Sequence, residues 1–196
     1  MKKDLTTGLI AIVVMTVFLG LAYPLAITGI SGVAFPGQAD GSLVKVDGKV
    51  VGSSLIGQDF KGEKAYFQSR PSATEYSGDV TFFGNVAPNS VGAREEVREY
   101  MKGYLQLEKP FDKSLTSEDI PVDGVTQSAS GVDPHISEAN ARIQAHRIAA
   151  VRKLPLAQVE DLISANTDGR TLGLLGEPGV NVLELNIALD KEAPLR

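Results

Sequence analysis

The sequence predicts an α+β fold class: a single N-terminal transmembrane helix followed by one small extracytoplasmic domain. Three observations carry this. An uncharged run from Leu5 to Ala39 contains LIAIVVMTVFLGLAYPLAI at 9–27. Two later stretches, Ala93–Leu107 and Ile136–Leu154, repeat apolar residues at helical spacing. Short apolar runs flank the turn pair Asp47-Gly48, and VLELNIALD near the C-terminus alternates as a strand would. The chain therefore divides into a membrane anchor with a short cytoplasmic N-terminus (1–30), a linker (31–42) and an α+β domain (43–196).

The apolar stretch 9–27 spans roughly 28 Å at about 1.5 Å per residue, close to the roughly 30 Å of a bilayer's hydrocarbon core. Gly8 and Gly20 leave room for another helix to approach, and Tyr23-Pro24 suits an aromatic anchor followed by a helix end. A cleaved signal peptide is the competing reading, because Lys2 and Lys3 resemble its charged start. The apolar core is longer than such segments carry, and no A-x-A site follows. Lys2 and Lys3 lie at one end of the run, and the first charge beyond the other is Asp40. The positive-inside rule then places the N-terminus in the cytoplasm and the rest outside.

Residues 28–42 are rich in turn formers. Leu43–Val46 and Lys49–Val51 form a hairpin about Asp47-Gly48, and KAYFQSRPSA suits another short strand ending before Pro71. Ser90 or Asn89 can cap a helix over Ala93–Leu107, with Val97, Tyr100, Met101, Tyr104 and Leu105 inward and Arg94, Glu95, Glu99 and Lys102 outward. Asp133-Pro134 offers a cap and first turn for the next helix, whose apolar stripe is Ile136, Ala139, Ile143, Ala150 and Leu154. Pro155 starts a shorter helix that stops near Asn166–Gly169. For 180–190 the alternation favours a strand, although leucine and alanine also form helices.

Composition excludes several chemistries. The chain has no cysteine, two histidines and a net charge of -5. Disulfides and thiol nucleophiles are ruled out, and nucleic acid is an unsuitable partner. The residues most suggestive of chemistry lie in TQSASGVDPHISEANARIQAHRIAAVRK (126–153). His135 and His146 are too far apart on one helix to chelate a metal, so no metal site is expected. Ser128 or Ser130 with His135 and Asp133 gives the elements of a hydrolytic triad, but residues this close in sequence more often satisfy a turn and cap. Ser128, Ser130 and Gly131, with Gln144, are the candidates for holding a cofactor. The serine-glycine stretch before a helix can cradle an anion, yet no G-x-x-x-x-G-K-[ST] is present and Asp133 would repel phosphate. Arg142, His146 and Arg147 form either a solvated basic face or, at Arg147, a paired arginine at a subunit contact. Arg70, beside Tyr66 and Phe67 and followed by Pro71, is a similar contact candidate.

The stretches TVFLGLAYPLAITGI, GSSLIGQDF (52–60), YFQSRPSA (66–73), SASGVDPHIS (128–137), QAHRIAAVR (144–152) and TLGLLGEPGVNVLELNIALD (171–190) together resemble the C subunit of the bacterial high-affinity potassium-transporting P-type ATPase complex. The family's Arg-Pro-Ser-Ala motif falls at Arg70, Pro71, Ser72 and Ala73. Its Ser-Gly-x-Asp-Pro-His-Ile-Ser motif falls at Ser130, Gly131, Asp133, Pro134, His135, Ile136 and Ser137, and Gln144 and Arg147 match the helix that follows. The chain departs from the family at 76–90, where Asp79, Phe82 and Phe83 replace small polar residues and Ala87 precedes Pro88.

The resemblance implies an accessory subunit of the bacterial inner membrane that is not itself an enzyme. Its partners would be a channel-like, potassium-conducting subunit, a P-type subunit that uses ATP and carries the phosphorylated aspartate, and the lipid bilayer. The subunit would assemble and stabilise the complex by docking on the potassium-conducting subunit. The subunit-contact candidates are Gly8, Gly20, Tyr66, Phe67, Arg70, Pro71, Ser72, Asp133, His135 and Arg147. Three rivals stand beside this reading. One is a nucleotide-responsive regulatory subunit that raises ATP affinity, as some family descriptions have it. The others are a membrane-anchored hydrolase and a free extracytoplasmic binding protein.

Overall fold

The structure, a computed structural model, describes residues 2–87 and 89–195; Pro88 of the departing loop lies outside the described residues. The chain forms two compact units, one up to Val51 and the other from Gly52 onward.

In the first unit a continuous apolar helix covers Lys2–Ala34, with mean hydropathy 2.4 in its most apolar window and no residue of that window buried. It comprises α1 (Lys2–Val17), a π turn (Phe18–Ala22) and α2 (Tyr23–Ala34). The helix end expected at Pro24 is not there. Proline has no N–H to donate, and its ring crowds the carbonyl four residues back. The π turn lies directly upstream, where the Tyr23 N–H donates to Phe18 O, one residue further back than in an α-helix. That widened turn lets the helix pass Pro24. The turn-rich emergence expected from residue 28 is likewise helical as far as Ala34, and a single turn, α3 (Pro36–Ala39), follows. The hairpin forms as expected from β1 (Leu43–Val46) and β2 (Lys49–Ser53). Asp47 and Gly48 both have positive φ, 50° and 77°, which matches the twist of a two-residue hairpin turn.

The second unit contains α4 (Val91–Glu108), α5 (Val122–Val125), β3 (His135–Ile136), α6 (Glu138–Arg152), α7 (Leu156–Ala165), β4 (Thr167–Asp168), β5 (Gly179–Asn181) and α8 (Val182–Glu192). Its sheet is antiparallel in the order β3-β5-β4. The core gathers Phe67, from the irregular chain before α4, with Ile136, Ala145, Ile148, Val159 and Leu185 among others from α6, α7, α8 and the sheet. Ser90 caps α4, its Oγ accepting from the Ala93 N–H at 3.1 Å. The apolar stripe expected on α4 is only half-buried, and Glu108 is the helix's one buried residue.

Four local expectations are corrected here. Residues 182–192 are a helix rather than a strand. Asn181 caps it by accepting from the Glu184 N–H at 3.2 Å, and Val182, Leu185, Asn186 and Leu189 are buried at helical spacing. The α6 cap is Ser137, whose Oγ accepts from the Asn140 N–H at 3.1 Å, whereas Asp133 accepts from the His135 N–H in the preceding turn. The buried apolar face of α6 is Ala141, Ala145 and Ile148; Ala139 and Ala150 are exposed. Finally, the stretch around Tyr66–Arg70 belongs to no sheet.

Candidate functional site

The stretch 64–70, a turn through Lys64–Tyr66 followed by chain without regular structure, raises an accounting problem, because buried backbone groups need partners and no strand supplies them. Side chains do so instead. Asn186 on α8 brackets Phe67: its Oδ1 accepts from the Phe67 N–H at 2.9 Å and its Nδ2 donates to Phe67 O at 3.0 Å. Gln144 on α6 brackets Gln68, accepting at 2.7 Å and donating at 3.1 Å. Two primary amides thus replace a neighbouring strand, and they pin the completely buried Phe67 ring in the core.

Arg147 completes this frame. It is 0% exposed, and its Nε donates to both Glu108 carboxylate oxygens, at 2.9 and 3.1 Å. Its remaining nitrogens donate to Lys64 O, to Tyr66 O at 2.8 Å and to Gln144 Oε1 at 3.0 Å. Asn140 extends the network, its Oδ1 accepting from the Tyr104 hydroxyl at 2.8 Å and from Gln144 Nε2 at 3.0 Å. Burial pushes the Glu108 carboxyl up while the Arg147 charge pulls it back; burial also raises the Tyr104 hydroxyl. One turn on, Arg152 donates to Ala65 O at 2.9 Å, pairs with Asp190 at 2.8 Å and stacks 4.7 Å from the Tyr66 ring centroid.

A second cluster joins the two motif stretches. Arg70 pairs with Asp133 at 3.1 Å and donates to Gln127 O at 3.3 Å. The Ser72 hydroxyl donates to Gly131 O at 2.6 Å, and the Ser128 N–H donates to Pro71 O at 3.1 Å. Gly131 has φ +75°, and a Cβ there would sit 2.8 Å from Thr74 Oγ1 and 3.1 Å from Phe82 O. Only glycine fits such a position without strain. His135 lies between two carboxylates, 3.7 Å from Asp133 and 3.1 Å from Asp168. Asp133 foremost, and Asp168 after it, raise the imidazole's affinity for its proton against the effect of partial burial. Burial pushes the Asp133 carboxyl up, but His135 and Arg70 outweigh it and hold the group below its usual range.

This geometry decides how the sequence candidates group. Arg70, Pro71, Ser72, Ser128, Gly131, Asp133 and His135 come together. Tyr66, Phe67, Gln144 and Arg147 form the neighbouring frame, and Gly8 and Gly20 lie on the apolar helix. The loop is not an open anion cradle. The Gly131 N–H is taken by Ser128 Oγ at 2.9 Å, the Val132 N–H by Ser130 Oγ at 3.2 Å and the His135 N–H by Asp133 at 3.0 Å. Gln144 faces the frame rather than this loop. Neither serine hydroxyl is paired with His135: Ser128, 1% exposed, accepts from the Gly131 N–H and Ser130 from the Val132 N–H, while His135 faces Asp168. Among the described residues no group of three or more His, Cys, Asp or Glu could hold a metal ion.

Asn186, Asn140, Glu108 and Arg152 were not singled out in the sequence. The available signal was Asn140, Gln144 and Arg147 at i, i+4 and i+7, which lie on one face of α6. That face proves to be inward. The solvated basic face is correspondingly corrected. Arg142 is exposed beside Glu138 at 3.5 Å, but Arg147 has no surface to offer solvent or a partner.

The two interlocked stretches are among those that carry the resemblance, and similarity to known proteins agrees with it. Residues 5–191 match the family model described as KdpC, K+-transporting ATPase, c chain. The chain belongs to the KdpC family. Similar chains include the potassium-transporting ATPase KdpC subunits of Bradyrhizobium diazoefficiens, 44% identical over 98% of this chain and 99% of the relative, and of Rhodopseudomonas palustris strain BisB5, 46% identical over 97% and 98%. That of Koribacter versatilis is 43% identical over 100% and 98%. The chain is thus a KdpC-type subunit of a potassium-transporting ATPase. Its polar residues at the motif positions fasten one part of the domain to another.

Proposed function

We propose that this KdpC-family subunit is a non-catalytic scaffold of its transporter. The N-terminal helix is retained in the membrane with Lys2 and Lys3 in the cytoplasm, and it packs against partner helices at Gly8 and Gly20. The remaining domain stands on the extracytoplasmic side and docks on the potassium-conducting subunit, limiting its dissociation. ATP is used by the P-type subunit. The observation that carries this reading is the commitment of every candidate catalytic or anion-binding group to an internal partner. Arg147 and Phe67 then act from behind. They fix the segment whose part-exposed members, Tyr66, Arg70, Pro71 and Ser72, form the rim offered to the partner together with Asp133 and His135.

The chain lacks cysteine, so single cysteines can be placed cleanly. Ala73→Cys in intact cells should react with a membrane-impermeant maleimide and, carrying a photo-crosslinker, join the potassium-conducting subunit. Labelling only after cell lysis would refute the sidedness. Crosslinking to the ATP-hydrolysing subunit instead, with measurable ATP affinity of the full chain, would favour a nucleotide-responsive regulator.

A further inference from the structure

One face of α4 gathers several basic side chains. Arg94, Arg98 and Lys102 follow one another at i+4 steps, and Lys109 and Lys113 continue the row past the helix end; all five are exposed. The last four rim a shallow groove of about 620 Å³ whose floor includes half-buried Met101 and Leu105. Among the described residues none of the five makes an ion pair, although Glu95 and Glu99 lie on the adjoining face. The other exposed arginines among the described residues do pair: Arg142 with Glu138 at 3.5 Å and Arg170 with Glu177 at 2.7 Å. An unneutralised cationic row on a chain of net charge -5 is a local reversal of sign.

We propose that this face of α4 docks on the anionic phospholipid headgroups of the bilayer that holds the chain's own helix. Phosphates spread over a membrane surface match a row of cations spaced one to two helical turns apart along α4 and just past its end. Lysine and arginine stems lie along apolar floor while their charged ends reach outward, as in side chains at membrane interfaces. The tether matters as well: the apolar helix Lys2–Ala34 is long enough to span a bilayer, and with that helix in the membrane, on which the proposed function also rests, a bilayer stays within reach. The acidic remainder of the domain is repelled by the same lipids, so the contact orients the domain with α4 toward the membrane. Both effects fade beyond roughly 8 Å at physiological salt, which confines the interaction to this face. The proposal is independent of the subunit contact above and of which leaflet is met.

The test uses the full chain with Gln106→Cys on the groove wall, labelled with an environment-sensitive fluorophore. The protein is reconstituted into vesicles of phosphatidylcholine alone or mixed with an equal amount of phosphatidylglycerol, so insertion direction does not change the headgroups met. Headgroup-nitroxide lipids should quench the label at least about twofold more in the mixed vesicles, and high salt should abolish the difference. The triple charge reversal R98E/K102E/K109E should remove it with helicity unchanged, and a label at Ala165→Cys on α7 should show no lipid dependence. Equal quenching in both vesicles, or insensitivity to the reversal, would overturn the proposal. So would a label at 106 that is shielded in the assembled transporter in phosphatidylcholine alone, which would assign the groove to an acidic protein surface.

Discussion

Replacing Arg147 with methionine tests whether the polar frame holds the domain together. Methionine keeps much of the volume, so the loss is chiefly one of charge and hydrogen bonds. Glu108, 1% exposed, would keep its carboxylate without the guanidinium 2.9 Å away, and Lys64 O and Tyr66 O would lose their donor. Removing one member of a buried ion pair costs about 3–5 kcal/mol. That is a large share of the roughly 5–15 kcal/mol that holds a domain folded. At about 2 kcal/mol per molar urea, the unfolding midpoint of the detergent-solubilised chain, followed by circular dichroism, should fall by about 2 M. The double variant E108M/R147M removes the orphaned charge but not the orphaned carbonyls, each worth about 1–3 kcal/mol, so it should lie between R147M and the parent. The pH dependence follows from the same argument. Without Arg147, nothing opposes the burial that raises the Glu108 carboxyl above its unfolded value. The folded state of R147M then binds the extra proton, and its deficit should shrink as pH falls from about 8 toward about 5. A midpoint shift equivalent to less than about 1 kcal/mol, or a double variant no more stable than R147M, would refute the reasoning.

Further outcomes follow from individual contacts. Asn186→Ala leaves the Phe67 N–H and carbonyl without partners and should cost about 2–4 kcal/mol, with faster amide hydrogen exchange at Phe67 and Gln68 as the local signature. Because His135 has a raised affinity for its proton when folded, its contribution is fully present below the ordinary imidazole range and is lost as pH rises through the folded value. His135→Gln should therefore flatten the urea midpoint between about pH 6 and 8, and an unchanged slope would place the titrating group elsewhere. Gly131→Ala combines positive φ with a Cβ contact of 2.8 Å, so thermal unfolding should report a loss of about 1–3 kcal/mol.

Several local features needed no tertiary information. The length and uninterrupted apolarity of 9–27 specify a helix long and apolar enough to cross a membrane. Asp47-Gly48 specifies a tight hairpin because both positions tolerate left-handed backbone, and Asn89-Ser90 marks a helix start, where the Ser90 hydroxyl is the one that meets an N–H three residues away. The two motifs at 70–73 and 130–137 marked the residues that meet in one cluster, although not how they meet.

The sequence by itself determined those features whose cause lies within a turn or two of chain, together with the family. The tertiary structure alone decided that 64–70 stays outside any sheet, that Arg147 is internal and that 182–192 is a helix. The first depends on Asn186 and Gln144, which lie 119 and 76 residues away from the groups they bind. The second depends on Glu108, 39 residues away, because an arginine enters a core only where a carboxylate and carbonyls await it. The third followed from packing, since leucines at 183, 185 and 189 fit an alternating or a helical pattern equally until a core selects one face.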